Sequence, residues 1–169
     1  MRNCNQTINK LNRRGIHIMG YTHYWTFPKS KKGTLVETEK TYQLAISQCQ
    51  RVVKGYNAEV TAIGKHTLRL SGDTVYSEVD QYRGINFNGT DDLSHEDFYL
   101  KEHLNQNEFN FCKTARKPYD IAVTACLSIL KHYLGDRIEV SSDGDFSDWN
   151  LGTDLAKRIL DIEGIENPI

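Results

Sequence analysis

The sequence predicts an α+β fold, a single domain in which a mainly antiparallel sheet packs with about three helices. Three observations carry this reading. Apolar residues recur at helical spacing in three separated stretches, and strand-like runs rich in aromatic and β-branched residues lie between them. From Ala58 to Leu100 the pattern breaks into short segments divided by Gly, Asn and Asp, which reads as a meander of strands. The resulting order is strand, helix, several strands, helix, strand, helix. A chain of 169 residues buries one core of ordinary size, whereas two smaller domains would each be marginal.

Residues 1–18 read as a polar extension ending in Arg13 and Arg14, and residues 19–169 as the domain. The first strand is Tyr21 to Phe27. Period-two alternation puts Tyr21, His23, Trp25 and Phe27 on one face and Thr22, Tyr24 and Thr26 on the other, and such an aromatic stripe is more often core than ligand platform. Lys29 to Gly33 form a basic loop. A helix then follows Thr34, with Tyr42, Ala45, Ile46, Cys49, Val52 and Val53 on its apolar face and its end before Gly55.

Within the meander, strands are expected at Val60 to Ile63, His66 to Leu70, Thr74 to Val79, Gly84 to Phe87 and Asp97 to Leu100. Ser71-Gly72-Asp73 and Asn88-Gly89 supply turn chemistry. The acidic stretch Asp91 to His103, with His95, Glu96, Asp97 and His103, reads as a solvated loop or a site rim.

Phe109, Phe111 and Cys112 suit the end of a half-buried strand. Pro118 then opens a helix carried by Ala122, Val123, Ala125, Cys126, Ile129, Leu130 and Tyr133 and stopped by Gly135. Arg137 to Ser141 form a further strand, followed by the turn Ser142-Asp143-Gly144-Asp145. The last helix takes Ser147 as its cap, runs through Trp149, Leu155, Ala156, Ile159 and Leu160, and leaves a short tail from Ile165.

Charge and cysteine usage narrow the function classes. Lys and Arg total 21 against 22 Asp and Glu, a net charge of -1, so no overall basic field points to nucleic acid or an anionic membrane. No apolar run reaches the length of a membrane span. The four cysteines, Cys4, Cys49, Cys112 and Cys126, are widely spaced, which fits a reduced cytoplasmic protein. Neither HxH nor HxxxH occurs, so the chain predicts no metal site and no cofactor. Asp120, Asp143 and Asp145 read as turn and cap residues before they read as a carboxylate metal site.

The junction from Phe109 to Asp120 concentrates the chemistry. Lys113, Arg116 and Lys117 fall between a strand end and a helix start, where free backbone N–H groups and the helix dipole favour an anion. A solvated basic turn is the plain alternative. A nucleotide binder needs donors for phosphate, surfaces on which a base stacks, and polar groups that read its edge. Lys113, Arg116 and Lys117 fit the first need; Tyr21, Trp25 and Tyr119 fit the second; Thr114, Asp120, Ser142 and Asp143 fit the third. His23 or His95 would be the acid or base of a hydrolase, and Cys112 beside Lys113 has no identifiable base.

The motifs Gly20-Tyr-Thr-His-Tyr-Trp25, Phe111-Cys-Lys-Thr-Ala-Arg-Lys-Pro-Tyr-Asp120 and Val140-Ser-Ser-Asp-Gly144 resemble those of a family of small proteins encoded by tailed bacteriophages. The resemblance implies a phage accessory protein acting in the host cytoplasm, and it supplies a context rather than a mechanism. In that context the expected function is to bind and sequester a phosphate-bearing, nucleotide-like small molecule such as a host immune second messenger. A phosphodiesterase for such a nucleotide and an inhibitor of a host protein are the alternatives. An aromatic edge strand would also let copies of the chain pair as a homo-oligomer.

Overall fold

A computed structural model of the chain describes residues 20–29, 34–72 and 84–169. The polar extension, the end of the basic loop and the expected strand at Thr74 to Val79 lie outside the described residues. The rest is an α+β domain with antiparallel sheets. A three-stranded sheet has the order β4-β1-β5, where β1 is Thr22–Thr26, β4 is Phe109–Lys113 and β5 is Glu139–Ser142. A separate hairpin pairs β2 (Ile85–Phe87) with β3 (Phe98–Leu100).

Three helices complete the described fold: α1 (Leu35–Ala62), α2 (Asp120–Leu134) and α3 (Asn150–Leu160). The middle one is the centre of the molecule. Every residue from Ala122 to Leu130 is buried, because α2 packs against both α1 and α3. A helix covered all round must silence its own polar side chains. Thr124 and Ser128 do so by donating to the carbonyls of Asp120 and Thr124, one turn back, at 2.9 and 2.8 Å.

α1 runs further than its sequence predicts. Gly55 is a packing residue rather than a stop: a Cβ there would lie 2.6 Å from Ile159 Cδ1, so the glycine lets α3 approach. The buried stripe continues from Val52 and Val53 through Tyr56 to Val60, so the expected strand at Val60 to Ile63 is the last turn of α1. Its β-branched residues yield to this tertiary contact. The expected strand at His66 to Leu70 is instead a 3₁₀ turn, His66–Leu68, and an extended exit.

The expected strands at Gly84 to Phe87 and Asp97 to Leu100 form and pair, with Ile85, Phe87, Phe98 and Leu100 buried and Asn86 and Tyr99 outward. Their connection is longer than a two-residue Asn-Gly turn. The Asn88 side chain organises it, accepting from Gly89 and His95 N–H groups and donating to the His95 carbonyl and Asp97 Oδ1.

α2 ends at Gly135, whose φ of 57° suits glycine. Asp145, not Ser147, caps the next segment. Its carboxylate accepts from Ser147 N–H at 2.9 Å, while Asp148 accepts from Asp145 N–H at 3.1 Å, and this box starts the turn Phe146–Trp149 that leads into α3. The tail is fastened down, with Ile165 fully buried.

Candidate functional site

Three stretches far apart in sequence meet at one end of the three-stranded sheet. The Tyr21 carbonyl accepts from both Thr114 and Ala115 N–H, at 3.0 and 3.2 Å. On the other side, Asp143 N–H donates to the Thr22 carbonyl, and Thr22 N–H donates to Asp143 Oδ2, both at 3.0 Å. Tyr24 donates to the other Asp143 oxygen at 3.1 Å, so this carboxylate is spent on the strand end. Tyr21, His23, Lys113, Thr114, Arg116, Asp120, Ser142 and Asp143 therefore gather as one neighbourhood. Trp25 does not belong to it, since it packs on Phe98 with ring centroids 5.3 Å apart.

The inner side of this end is a sealed polar cluster. His23 is fully buried, and its Nε2 bonds Asp120 Oδ1 at 2.7 Å; Thr114 donates to the same oxygen at 2.6 Å. The His23 ring meets Tyr21 and Trp149 edge-on, at centroid distances of 5.0 and 4.9 Å. Among the described residues, three buried side-chain polar atoms lack a hydrogen-bond partner: Tyr21 hydroxyl, His23 Nδ1 and Trp149 Nε1. All three belong to these touching rings. Burial, with Asp120 and Asp148 adding repulsion, pushes the Tyr21 phenol well above its ordinary range, so it is a neutral hydroxyl.

The three cations of the junction divide. Arg116 forms a two-pronged ion pair with Asp148, at 2.6 and 3.0 Å, and its Cζ lies 3.9 Å from the centre of the Tyr21 ring. The Asp148 hydrogen bonds hold the guanidinium pKa above its already high value. Lys117 Nζ donates to the Asp92 carbonyl at 2.7 Å. Lys113 differs: its backbone N–H is held by Glu96, while its ammonium has no partner among the described residues.

The expected free N–H groups at the start of α2 are already used. Those of Asp120, Ile121, Ala122 and Val123 donate to carbonyls of Lys117, Pro118 and Tyr119. Nor are the expected stacking rings available. Tyr21, Trp25 and Tyr119 are 2%, 2% and 1% exposed, because each fills the core from the inner side of the sheet or the helix start. Tyr119 donates to the Glu96 carbonyl at 2.7 Å, and burial raises its pKa. Cys112 is likewise packing, its thiol pushed up to about 12 by burial, which rules against an activated thiolate at neutral pH.

The outer face of the sheet carries the aromatic surface that sequence reasoning missed. Phe109 and Phe111 are 62% and 54% exposed, and Tyr24 stacks against Phe109 at 5.9 Å. Phe111 stands opposite Tyr24, Phe109 opposite Thr26, and Lys113 opposite Thr22, so all six share the outward face. The signal was present in the alternation: if Cys112 faces inward beside His23, then Phe109, Phe111 and Lys113 must face out. Asp148, Trp149 and Glu96, which complete the surroundings, carry no motif of their own.

Among the described residues, no group of three His, Cys, Asp or Glu side chains is placed to hold a metal ion. No described helix is long and apolar enough to cross a membrane. In comparisons with protein-family models, curated proteins and solved structures, nothing matches this chain.

Proposed function

We propose that the protein binds a phosphate-bearing, nucleotide-like small molecule at the Lys113 end of the three-stranded sheet and sequesters it. The observation that carries this reading is Lys113, a cation without a partner among the described residues, held by a fixed backbone beside Thr22 and three residues from the Arg116 guanidinium. A lysine anchored on a fixed strand end offers its ammonium to phosphate as a point charge. Arg116 enters only by leaving or sharing Asp148.

Sequestration is favoured over cleavage by the position of His23. A general base has to reach the proton it removes, and His23 is fully buried on the face opposite Lys113. The resemblance to phage proteins makes a host immune second messenger the ligand class to test first. The test is to incubate the purified protein with cyclic and linear nucleotides and identify bound and heat-released molecules by mass spectrometry. Recovery of an unchanged nucleotide is expected, with binding weakened by Lys113→Ala. A product of shifted mass would replace sequestration with hydrolysis, and capture of nothing would remove the reading.

A further inference from the structure

The outer face of the sheet has a layout that its surroundings do not account for. Large apolar side chains on an open sheet face are ordinarily covered, yet Phe109 and Phe111 remain more than half exposed. They form a connected strip with Tyr24: Tyr24 to Phe109 is 5.9 Å between ring centroids with planes 27° apart, and Phe109 to Phe111 is 6.2 Å with planes 32° apart. Tyr24 and Phe109 are therefore stacked, and Phe111 is tilted against Phe109.

We propose that this strip is a nucleobase-stacking site, with Phe111 as the platform nearest Lys113 and Phe109 joining it to Tyr24. This inference rests on the phosphate site proposed above and names the other half of its ligand. Charge along the face sets the ligand's direction. Lys113 stands at one end, and at the other Glu139 faces Thr26, whose hydroxyl donates to it at 3.4 Å. Lys113 attracts phosphate to the first end, where the Asp143 and Glu96 carboxylates are already engaged by Tyr24, Thr22 N–H and Lys113 N–H, while the Glu139 carboxylate at the second end repels phosphate and accepts amino or imino N–H groups of a base.

The spacing agrees with one nucleotide. Phe111 and Lys113 are two residues apart on the same face, about 6.6 Å along the strand, a span comparable to that from a base to its own phosphate. Every base has a π face, so aromatic platforms of this kind bind with modest base preference. The strip is also narrow and bordered by Thr22, Thr26, Ser141, Glu139 and Lys113, which suits a flat polar-edged ring better than the broad apolar centre of a protein interface.

The rings are exposed, so their removal leaves the core intact. The test uses calorimetric titration of the full chain and its Phe111→Ala, Phe109→Ala and Lys113→Ala variants. The probes are the four common nucleoside 5′-monophosphates, ribose 5-phosphate and inorganic phosphate. At least one nucleotide is expected to bind more tightly than ribose 5-phosphate. Phe111→Ala should weaken that nucleotide about tenfold or more and bring its affinity to that of the sugar phosphate, with melting temperature unchanged.

Equal binding of nucleotide and sugar phosphate, sensitive to Lys113→Ala but not to Phe111→Ala, would overturn the stacking site and leave the phosphate site standing. Binding by none of the probes would overturn both. Tighter binding of an oligonucleotide strand than of any monophosphate would overturn the one-nucleotide ligand. Loss of oligomerisation in Phe111→Ala, without a nucleotide effect, would make the face a contact between copies of the chain.

Discussion

His23 Nε2 lies 2.7 Å from Asp120 Oδ1, joining the start of β1 to the first turn of α2. The carboxylate only accepts, so Nε2 is the donor of this bond. Since Thr114 also donates to that oxygen, Asp120 fastens a strand, a strand exit and a helix start together. Asp120→Ala leaves two buried donors unpaired and is expected to lower stability by about 2 to 4 kcal/mol in urea denaturation. Asp120→Asn keeps a side-chain oxygen for both donors and should lose clearly less. Equal losses would mean that the charge, rather than the acceptor, is what the cluster needs.

Three buried tyrosines provide an internal comparison. Tyr42 and Tyr119 donate to the carbonyls of Lys101 and Glu96, both at 2.7 Å, whereas the Tyr21 hydroxyl has no partner. Replacing the first two by Phe orphans a carbonyl and should cost about 1 kcal/mol each. Tyr21→Phe should change stability by less than about 0.5 kcal/mol, since the ring and its contact with Arg116 persist. A loss as large as that of Tyr119→Phe would show that the Tyr21 hydroxyl is bonded in solution, with the neighbouring Ser142 hydroxyl as the natural partner.

Gly152 and Gly55 both sit where helices meet, but their neighbours differ. A Cβ on Gly152 would lie 2.6 Å from Ala125 N and 2.8 Å from the Ile121 carbonyl, backbone atoms of α2 that cannot step aside. At Gly55 the three nearest atoms all belong to the Ile159 side chain, which can change rotamer. Alanine is the better helix former at either position by about 1 kcal/mol. Gly152→Ala is nevertheless expected to destabilise by about 1 to 3 kcal/mol through overpacking, and Gly55→Ala by less. Thermal melts of the two variants decide it, and a reversed order would contradict the α2–α3 contact.

Much of the fold was legible because its signals were local. The alternation around His23, the helical spacing from Ala122 to Leu130 and the stop at Gly135 each specify an element without reference to the rest. What failed depended on partners distant in sequence. Gly55 looks like a helix stop until Ile159 is placed against it, and Val60 looks strand-like until the stripe from Tyr56 is seen to continue. The same holds for the site. His23, Asp120 and Thr114 could be singled out by residue type, but their pairing needed β1, β4 and α2 in register. Tyr21 and Trp25 read as core first and as stacking rings second, because period two gives faces without saying which is covered; the covering helices settle them as core and leave Phe109 and Phe111 as the exposed rings.

A separate pair makes stability pH-dependent. His103 Nδ1 bonds Glu39 Oε1 at 3.0 Å, tying the loop after β3 to the first half of α1. That bond raises the His103 pKa against the opposing effect of desolvation, and the Glu102 charge adds to the rise. Burial pushes the Glu39 carboxyl up, but hydrogen bonds from His103, Gln43 and Leu104 N–H outweigh it, and the net shift is down. A lowered carboxyl contributes stability that is present above its unfolded value and lost as pH falls through its folded one. A raised histidine contributes stability that is complete below its unfolded value, about 6.5, and lost as pH rises through its folded one. Both contributions are present only between those limits. The difference in urea midpoint between the wild type and His103→Gln is therefore expected to be largest near about pH 5 to 6 and to shrink toward both ends. A difference that does not vary from acid to alkaline pH would show that the pair does not couple charge to folding, because a loss of packing or of a neutral hydrogen bond has no such window.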